Sequence, residues 1–291
     1  MAEITAGLVK ELREKTGAGM MDCKKALSQT DGDLEKAIDF LRTKGLADAA
    51  KKSSRVAAEG LVAANVSGDK KTGAIVEINC ETDFVAKNDD FINLTNNLCQ
   101  LIIDNKPSDM DALLALPFEG TTVDATIKEK IATIGENIRI RRFAVYSTAG
   151  TLETYIHAGG KIGVLVDYEG VSDSELARDV ALHICAVAPL CITEADLDPA
   201  VVEHERTISM EKAKESNKPQ NIIEKIVEGQ VNKFKQENCL VSQKFVKNPD
   251  DTIAKVLGNG KVLRFTRYQL GEGIEKKVED FAEEVRKQIK G

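Results

Sequence analysis

Tryptophan is absent from this 291-residue chain, which has only four tyrosines and nine phenylalanines. So few rings leave little to stack on bases or sugars, which argues against single-stranded nucleic acid as a ligand. Excess positive charge is lacking too: 40 Lys and Arg stand against 47 Asp and Glu, a formal charge of −7. A net anion repels phosphate backbones, so no direct nucleic-acid partner is expected. No apolar run approaches the roughly 20 residues that cross a bilayer. The most apolar stretch, residues 181–192, is broken by His183 and Pro189. The first residues have neither the basic start nor the apolar core of a secretory leader. The expectation is a cytoplasmic protein with no membrane partner. Cys-x-x-Cys pairs are also missing. Cys23, Cys80, Cys99, Cys185, Cys191 and Cys239 are scattered, which suits reduced, buried thiols better than disulfides or a metal centre.

Catalytic motifs are equally scarce. A phosphate-binding loop needs Gly, four residues, then Gly-Lys-Ser/Thr, so that amides wrap the phosphate while Lys and the hydroxyl complete the site. Gly159-Gly160-Lys161 and Gly258-Asn259-Gly260-Lys261 come nearest. Both lack the upstream Gly, and Ile162 or Val262 replaces the hydroxyl residue, so both read as hairpin turns. The dinucleotide fingerprint and the Gly-x-Ser-x-Gly elbow do not occur. His157, His183 and His204 are far apart, with no partner at metal-ligand spacing. His183 reads as a packed or partly exposed helix residue, and His204 as a solvated position beside Glu203, Glu205 and Arg206. His157 differs, because it ends a strand beside Gly159-Gly160, where exposed residues serve recognition. Asp89-Asp90 and Asp250-Asp251 read as solvated turn residues. No enzyme, no cofactor and no metal site are expected.

What is present is a soluble globular balance, 42% hydrophobic and 30% charged, long enough for about two domains. Ile4, Leu8 and Leu12 mark one helix face, Gly17-Ala18-Gly19 breaks it, and Met20 to Leu27 resumes helical spacing. After the turn Asp31-Gly32-Asp33, the positions Leu34, Ala37, Ile38 and Leu41 predict a third helix ending near Gly45. Residues 49–55 follow as a basic helical linker. The pattern then changes to strands, Leu61–Val66 and Gly73–Ile78, paired about Ser67-Gly68-Asp69. A helix follows, striped by Phe91, Leu94, Leu98, Leu101 and Ile102.

A second copy of this unit lies downstream. Gly60 matches Gly150 and Gly73 matches Gly163 at an offset of 90, which aligns the strand at residues 73–78 with that at 163–168. In the helices Leu94 matches Val180, Leu98 matches Ile184 and Cys99 matches Cys185, at an offset of 86. The first copy thus carries four extra residues between strand and helix, within Cys80 to Asp90. Between the copies residues 122–136 read as helix and 138–145 as a strand with an exposed basic face. Residues 199–237 read as an antiparallel helical hairpin, or coiled coil. Val201 and Ile208 mark one arm, Ser216-Asn217-Lys218-Pro219 the turn, and Ile223, Val227, Val231 and Phe234 the other. An arm with so narrow a seam projects and pairs with a partner, a second copy of the chain among the candidates. A strand at 262–270, the turn Gly271-Glu272-Gly273 and an amphipathic helix close the chain. The fold class is α+β. The division is 1–55 for the helical module and linker, 56–141 and 142–273 for two core halves, the second holding the hairpin, and 274–291 for the last helix.

The extra interval reads Asn79-Cys80-Glu81-Thr82-Asp83-Phe84-Val85-Ala86-Lys87-Asn88-Asp89. On periodicity alone the favoured reading is a helix cap, with Thr82 or Asp83 capping and Phe84 and Val85 packed on the core. The sharper reading is a device that presents Phe84 to a partner's groove, with Asp83 steering it.

Thr82-Asp83-Phe84-Val85-Ala86 resembles a signature of the bacterial elongation factor Ts family, the guanine-nucleotide exchange factors of elongation factor Tu. Residues 9–27, Val-Lys-Glu-Leu-Arg-Glu-Lys-Thr-Gly-Ala-Gly-Met-Met-Asp-Cys-Lys-Lys-Ala-Leu, resemble the family's other signature. Similarity continues through residues 134–138, 157–166 and 271–276, in the same order. The resemblance implies a ubiquitin-associated-like three-helix module, a duplicated core, a helical hairpin and a C-terminal helix. It implies binding to elongation factor Tu, GDP-bound and nucleotide-free. Phe84 would enter between two helices of that partner's GTPase domain with Asp83 beside it, disturbing the magnesium and phosphate groups. Thr82 and Val85 belong to the same signature. Arg13, Met20 and Met21 would grip another helix, with core packing as the plainer reading of the methionines. His157 and the C-terminal helix would add contacts. Glu81 departs from the pattern, where Gln is common, and adds a charge that bears on steering. The competing reading is a structural adaptor or dimerising interaction protein.

Overall fold

The computed structural model describes residues 4–215 and 218–275. Helices α1 (Ala6–Thr16), α2 (Met20–Gln29) and α3 (Leu34–Lys52) lead into strands β1 (Glu59–Val66) and β2 (Thr72–Cys80). Then come α4 (Asp83–Ala86), α5 (Asp89–Asn105), α6 (Met110–Ala115), the short β3 (Pro117–Phe118) and β4 (Thr121–Thr122), and α7 (Val123–Ile134). Strands β5 (Arg139–Ser147), β6 (Thr151–His157) and β7 (Ile162–Glu169) precede α8 (Ser174–Val187) and the hairpin of α9 (Pro199–Lys214) and α10 (Gln220–Asn238). Last are β8 (Lys244–Phe245), β9 (Asn248–Thr252), α11 (Ile253–Leu257) and β10 (Lys261–Gln269). The expected C-terminal helix from 274 lies outside the described residues beyond Glu275, as do Ser216 and Asn217 of the hairpin turn.

Two antiparallel sheets, β1-β2-β5 and β10-β7-β6, form the core. Helix α5 buries Phe91, Leu94, Leu98 and Ile102 on the first sheet, and α8 buries Val180, Ala181 and Ile184 on the second. The inner faces of the sheets meet through Val62, Ile75, Leu152 and Leu165, two pairs each separated by 90 positions. At the same offset, a Cβ on Gly73 would stand 3.0 Å from Leu165, and one on Gly163 would stand 2.6 Å from Val62. Glycine is required there because the sheets approach too closely for a side chain. Gly60 and Gly150 repeat the logic: a Cβ on either would overlap a carbonyl oxygen, that of Ile78 or Tyr168.

A buried carboxylate also recurs, Glu77 on β2 and Asp167 on β7. Glu77 accepts from Arg142 Nε at 2.6 Å, Arg141 Nη1 at 2.9 Å and Gly271 N–H at 2.8 Å. Asp167 accepts from Arg264 Nε at 2.9 Å. The two arginines cross between sheets, Arg142 lying 4.2 Å over the Tyr268 ring and Arg264 4.1 Å over that of Tyr146. These contacts correct the expected basic face of residues 138–145, since Arg141 and Arg142 are half-buried partners of Glu77. Burial pushes the Glu77 carboxyl upward, but the Gly271 N–H and the two guanidiniums more than offset it and hold its pKa low.

Other expectations shift in detail. Helix α3 runs past Gly45 to Lys52, because Gly45 lies where α3 crosses α7 and a Cβ would come 2.9 Å from that of Ala132. On the returning arm of the hairpin the seam is as expected, with Ile223, Val227 and Val231 buried, but on the first arm it is one residue out of phase. There Val201 is exposed, and Val202, Met210 and Ala213 face that stripe. Gly258–Lys261 joins a helix to a strand and is no hairpin turn. Asp89-Asp90 opens α5 and Asp250-Asp251 lies in β9, so neither is a turn. His183 is fully buried: its Nε2 donates to Gln243 Oε1 at 2.9 Å and its Nδ1 accepts the Val246 N–H at 3.3 Å.

Candidate functional site

Between β2 and α5 lie eight residues, whereas four separate β7 from α8. Most of that difference is α4, a single turn held by two carboxylates. Glu136, just past the left-handed Gly135 that ends α7, accepts the N–H groups of Glu81 at 3.1 Å and Thr82 at 3.0 Å and the Thr82 hydroxyl at 2.6 Å. Glu81 reciprocates by accepting the Asn137 N–H at 2.6 Å, and Arg55 lies 3.5 Å from its carboxylate. The extra charge at Glu81 is therefore turned inward and paired. Thr82 also caps α4 by accepting the Val85 N–H at 3.4 Å, and Cys80 donates its S–H to the Thr82 carbonyl at 3.1 Å. Burial, reinforced by Glu136, pushes the Cys80 thiol up to about 12, so it stays protonated.

Val85 packs on the core and Ala86 is buried, as capping predicts. Phe84 breaks that prediction: it is 81% exposed. One turn of helix cannot put residues 84, 85 and 86 on the same face, and the core takes the last two. Asp83 sits beside Phe84 and accepts from Lys87 at 2.6 Å, a hydrogen bond that holds its carboxyl below the usual range. The cap and the presented ring coexist, because Thr82 caps while Phe84 points outward.

His157 ends the edge strand β6, exposed, with the Tyr155 ring stacked on it at 6.1 Å. Its turn continues through Ala158, Gly159 and Gly160, all at positive φ, and is pinned to the first sheet where Gly160 accepts the Val62 N–H at 2.8 Å. Residues of that turn and of α4 line one cleft of about 490 Å³ together with β1, Asp83, Lys87, Ile156 and Gly160 among them, but neither Phe84 nor His157 lines it. Arg13, Met20 and Met21 lie on the helical module and line no part of this cleft. All three are exposed, Met20 by 60% and Met21 by 76%, because α2 turns Cys23, Ala26 and Leu27 inward. Core packing of the methionines is thereby ruled out. The Glu136–Glu81 clamp was missed from sequence, although Gly135-Glu136-Asn137 stood among the motifs. The Glu77 cluster was missed too, and its signal was an acidic residue at the same place in each aligned apolar strand.

Among the described residues no group of three His, Cys, Asp or Glu side chains could hold a metal ion, and no helix is long and apolar enough to cross a membrane. What stands ready is contact surface: an aromatic ring and two thioethers held in water on anchored elements, which defines a protein-binding factor. The family model for Elongation factor TS matches residues 81–272. Over 291 residues the chain is 52% identical to Elongation factor Ts of Alkalilimnicola ehrlichii, with 99% of each chain covered. The chain belongs to the elongation factor Ts family.

Proposed function

We propose that Phe84 is the working tip of an exchange factor, entering the GTPase domain of elongation factor Tu between two helices and disturbing the site that holds magnesium and phosphate. As a member of its family the protein is a guanine-nucleotide exchange factor for elongation factor Tu. It makes and breaks no covalent bond. Its action is reciprocal coupling: a protein that binds the nucleotide-free partner more tightly than the loaded one must weaken GDP by the same factor. A hundredfold weakening needs about 2.7 kcal/mol of differential interaction. Burying one phenylalanine contributes about 1.5–3 kcal/mol, so Phe84 and a few flanking contacts suffice. The observation that carries this reading is the exposure of Phe84 on a turn clamped by Glu136.

Thr82 and Asp83 would orient the ring, Val85 would brace it from the core, and His157 at the end of β6 would add a second contact. Arg13, Met20 and Met21 would grip another helix of the same domain from a module read as ubiquitin-associated-like. The division at 1–55, 56–141, 142–273 and 274–291 follows from the 90-residue offset and the inserted hairpin. Val201 and Ile222, exposed on that hairpin, support its reading as a pairing arm, including self-pairing. A cytoplasmic location follows from a role in translation. The test loads elongation factor Tu with fluorescent GDP, adds excess unlabelled nucleotide and follows release with and without this protein. Acceleration is expected, and an unchanged release rate would overturn the reading.

A further inference from the structure

Cys191 and Cys239 stand 48 positions apart in sequence, yet their sulfurs are 3.4 Å apart. Cys191 lies in the segment that leads into the helical hairpin, and Cys239 is the residue on which α10 ends. An isolated parallel bridge joins the two, flanked by hydrogen bonds from Leu190 N–H to Asn238 O at 2.9 Å and from Leu240 N–H to Cys191 O at 3.0 Å. Backbones paired in this way lie about 4.8 Å apart, within the span a disulfide bridges. The other four cysteines are buried in other clusters of the core, Cys80 and Cys99 in one, Cys185 in a second and Cys23 in a third.

We propose that Cys191 and Cys239 are a redox modification site, closing to an intramolecular disulfide when the protein meets hydrogen peroxide. Cys191, 9% exposed against none for Cys239, is the sulfur that meets the oxidant. The Cys191 thiol gives up its proton, the thiolate attacks one peroxide oxygen, and the O–O bond breaks. Sulfenic acid forms at Cys191 while the departing hydroxide takes that proton and leaves as one water. Cys239 then attacks that sulfur, the S–O bond breaks, and the departing hydroxide takes the Cys239 proton as a second water. Two thiols lose two electrons and two protons, and one peroxide becomes two waters.

Burial, together with the neighbouring Cys239, pushes the Cys191 thiol up to about 12. Thiolate is scarce at neutral pH, so the first step is slow and the site accumulates oxidation without acting as a fast sensor. The second step has its nucleophile already in contact. The product staples the entry and exit of the hairpin, closing a 48-residue loop that constrains the unfolded chain.

The experiment incubates the folded full-length protein with hydrogen peroxide, alkylates the remaining thiols and maps the cysteines by mass spectrometry. The expected result is peptides 191 and 239 joined within one chain, the other four cysteines alkylated, and the bridge reversed by dithiothreitol. The melting temperature should rise by several degrees on oxidation and return on reduction. Cys191→Ser or Cys239→Ser should abolish the bridge, and Cys99→Ser should leave it. Alkylation of both thiols after peroxide, sulfinic acid at Cys191, a bridge between chains or a different pairing would overturn the proposal.

Discussion

Phe84 stands in water because its neighbours are fixed: Thr82 by Glu136, Val85 and Ala86 by the core. Removing the ring should therefore cost function and spare the fold. Phe84→Ala is expected to slow GDP release strongly with the melting temperature nearly unchanged; a large drop in melting temperature would return Phe84 to the core. Glu136→Ala removes the acceptor of three donors at once. It should lower stability by about 1–3 kcal/mol in urea unfolding and slow exchange too, because α4 loses its anchor. His183 gives a pH signature. Burial lowers its pKa, so as pH falls below about 6.5 the unfolded chain takes up this proton before the folded one does. Its contribution to stability is complete above that pH and is lost as pH falls toward the depressed folded value. Thermal unfolding from pH 7.5 to 5.5 should show this loss, and His183→Gln should flatten it.

Elements were legible where a period repeats and obscure where distant residues decide. The strands β1 and β2 follow from two short runs paired about the turn Ser67-Gly68-Asp69, and the helix α5 from Phe91, Leu94 and Leu98 on one face. The second arm of the hairpin was read correctly through Ile223, Val227 and Val231, and the first with the wrong phase, since only contact with α10 selects Val202 over Val201. Helix α3 outran its expected end because the crossing with α7 turns Gly45 from a stop into a fit. The arginines of β5 read as an exposed face because their acceptor, Glu77, is 65 positions from Arg142. That cluster ties β2, β5 and the turn at Gly271 together. Glu77→Ala removes the acceptor shared by Arg141, Arg142 and the Gly271 N–H, while Arg142 keeps Glu272 at 3.2 Å. It should cost about 1–3 kcal/mol, measurable by denaturant unfolding. Of the candidate site, α4 was visible as an insertion between two copies of one pattern, whereas its clamp was not.

For the whole molecule the two halves are each other's core. Val62 and Ile75 of one meet Leu152 and Leu165 of the other, and Gly73 and Gly163 let them close. Gly163→Ala should cost about 1–3 kcal/mol through its contact with Val62, seen as a lower urea midpoint with the slope unchanged.

Strand β10 completes the second sheet across a gap in which the whole hairpin is inserted, pairing Val262 with Tyr168. During synthesis the ribosome must add about 100 residues between the end of β7 and the end of β10, roughly 5–20 s of elongation. Throughout that time the first sheet has its three strands while the second has two, with Asp167 lacking Arg264 and the ring of Tyr146 uncovered. The nascent chain thus has a built-in waiting period, with a half-made sheet and an open edge, and it is then most exposed to wrong pairing and most in need of a chaperone.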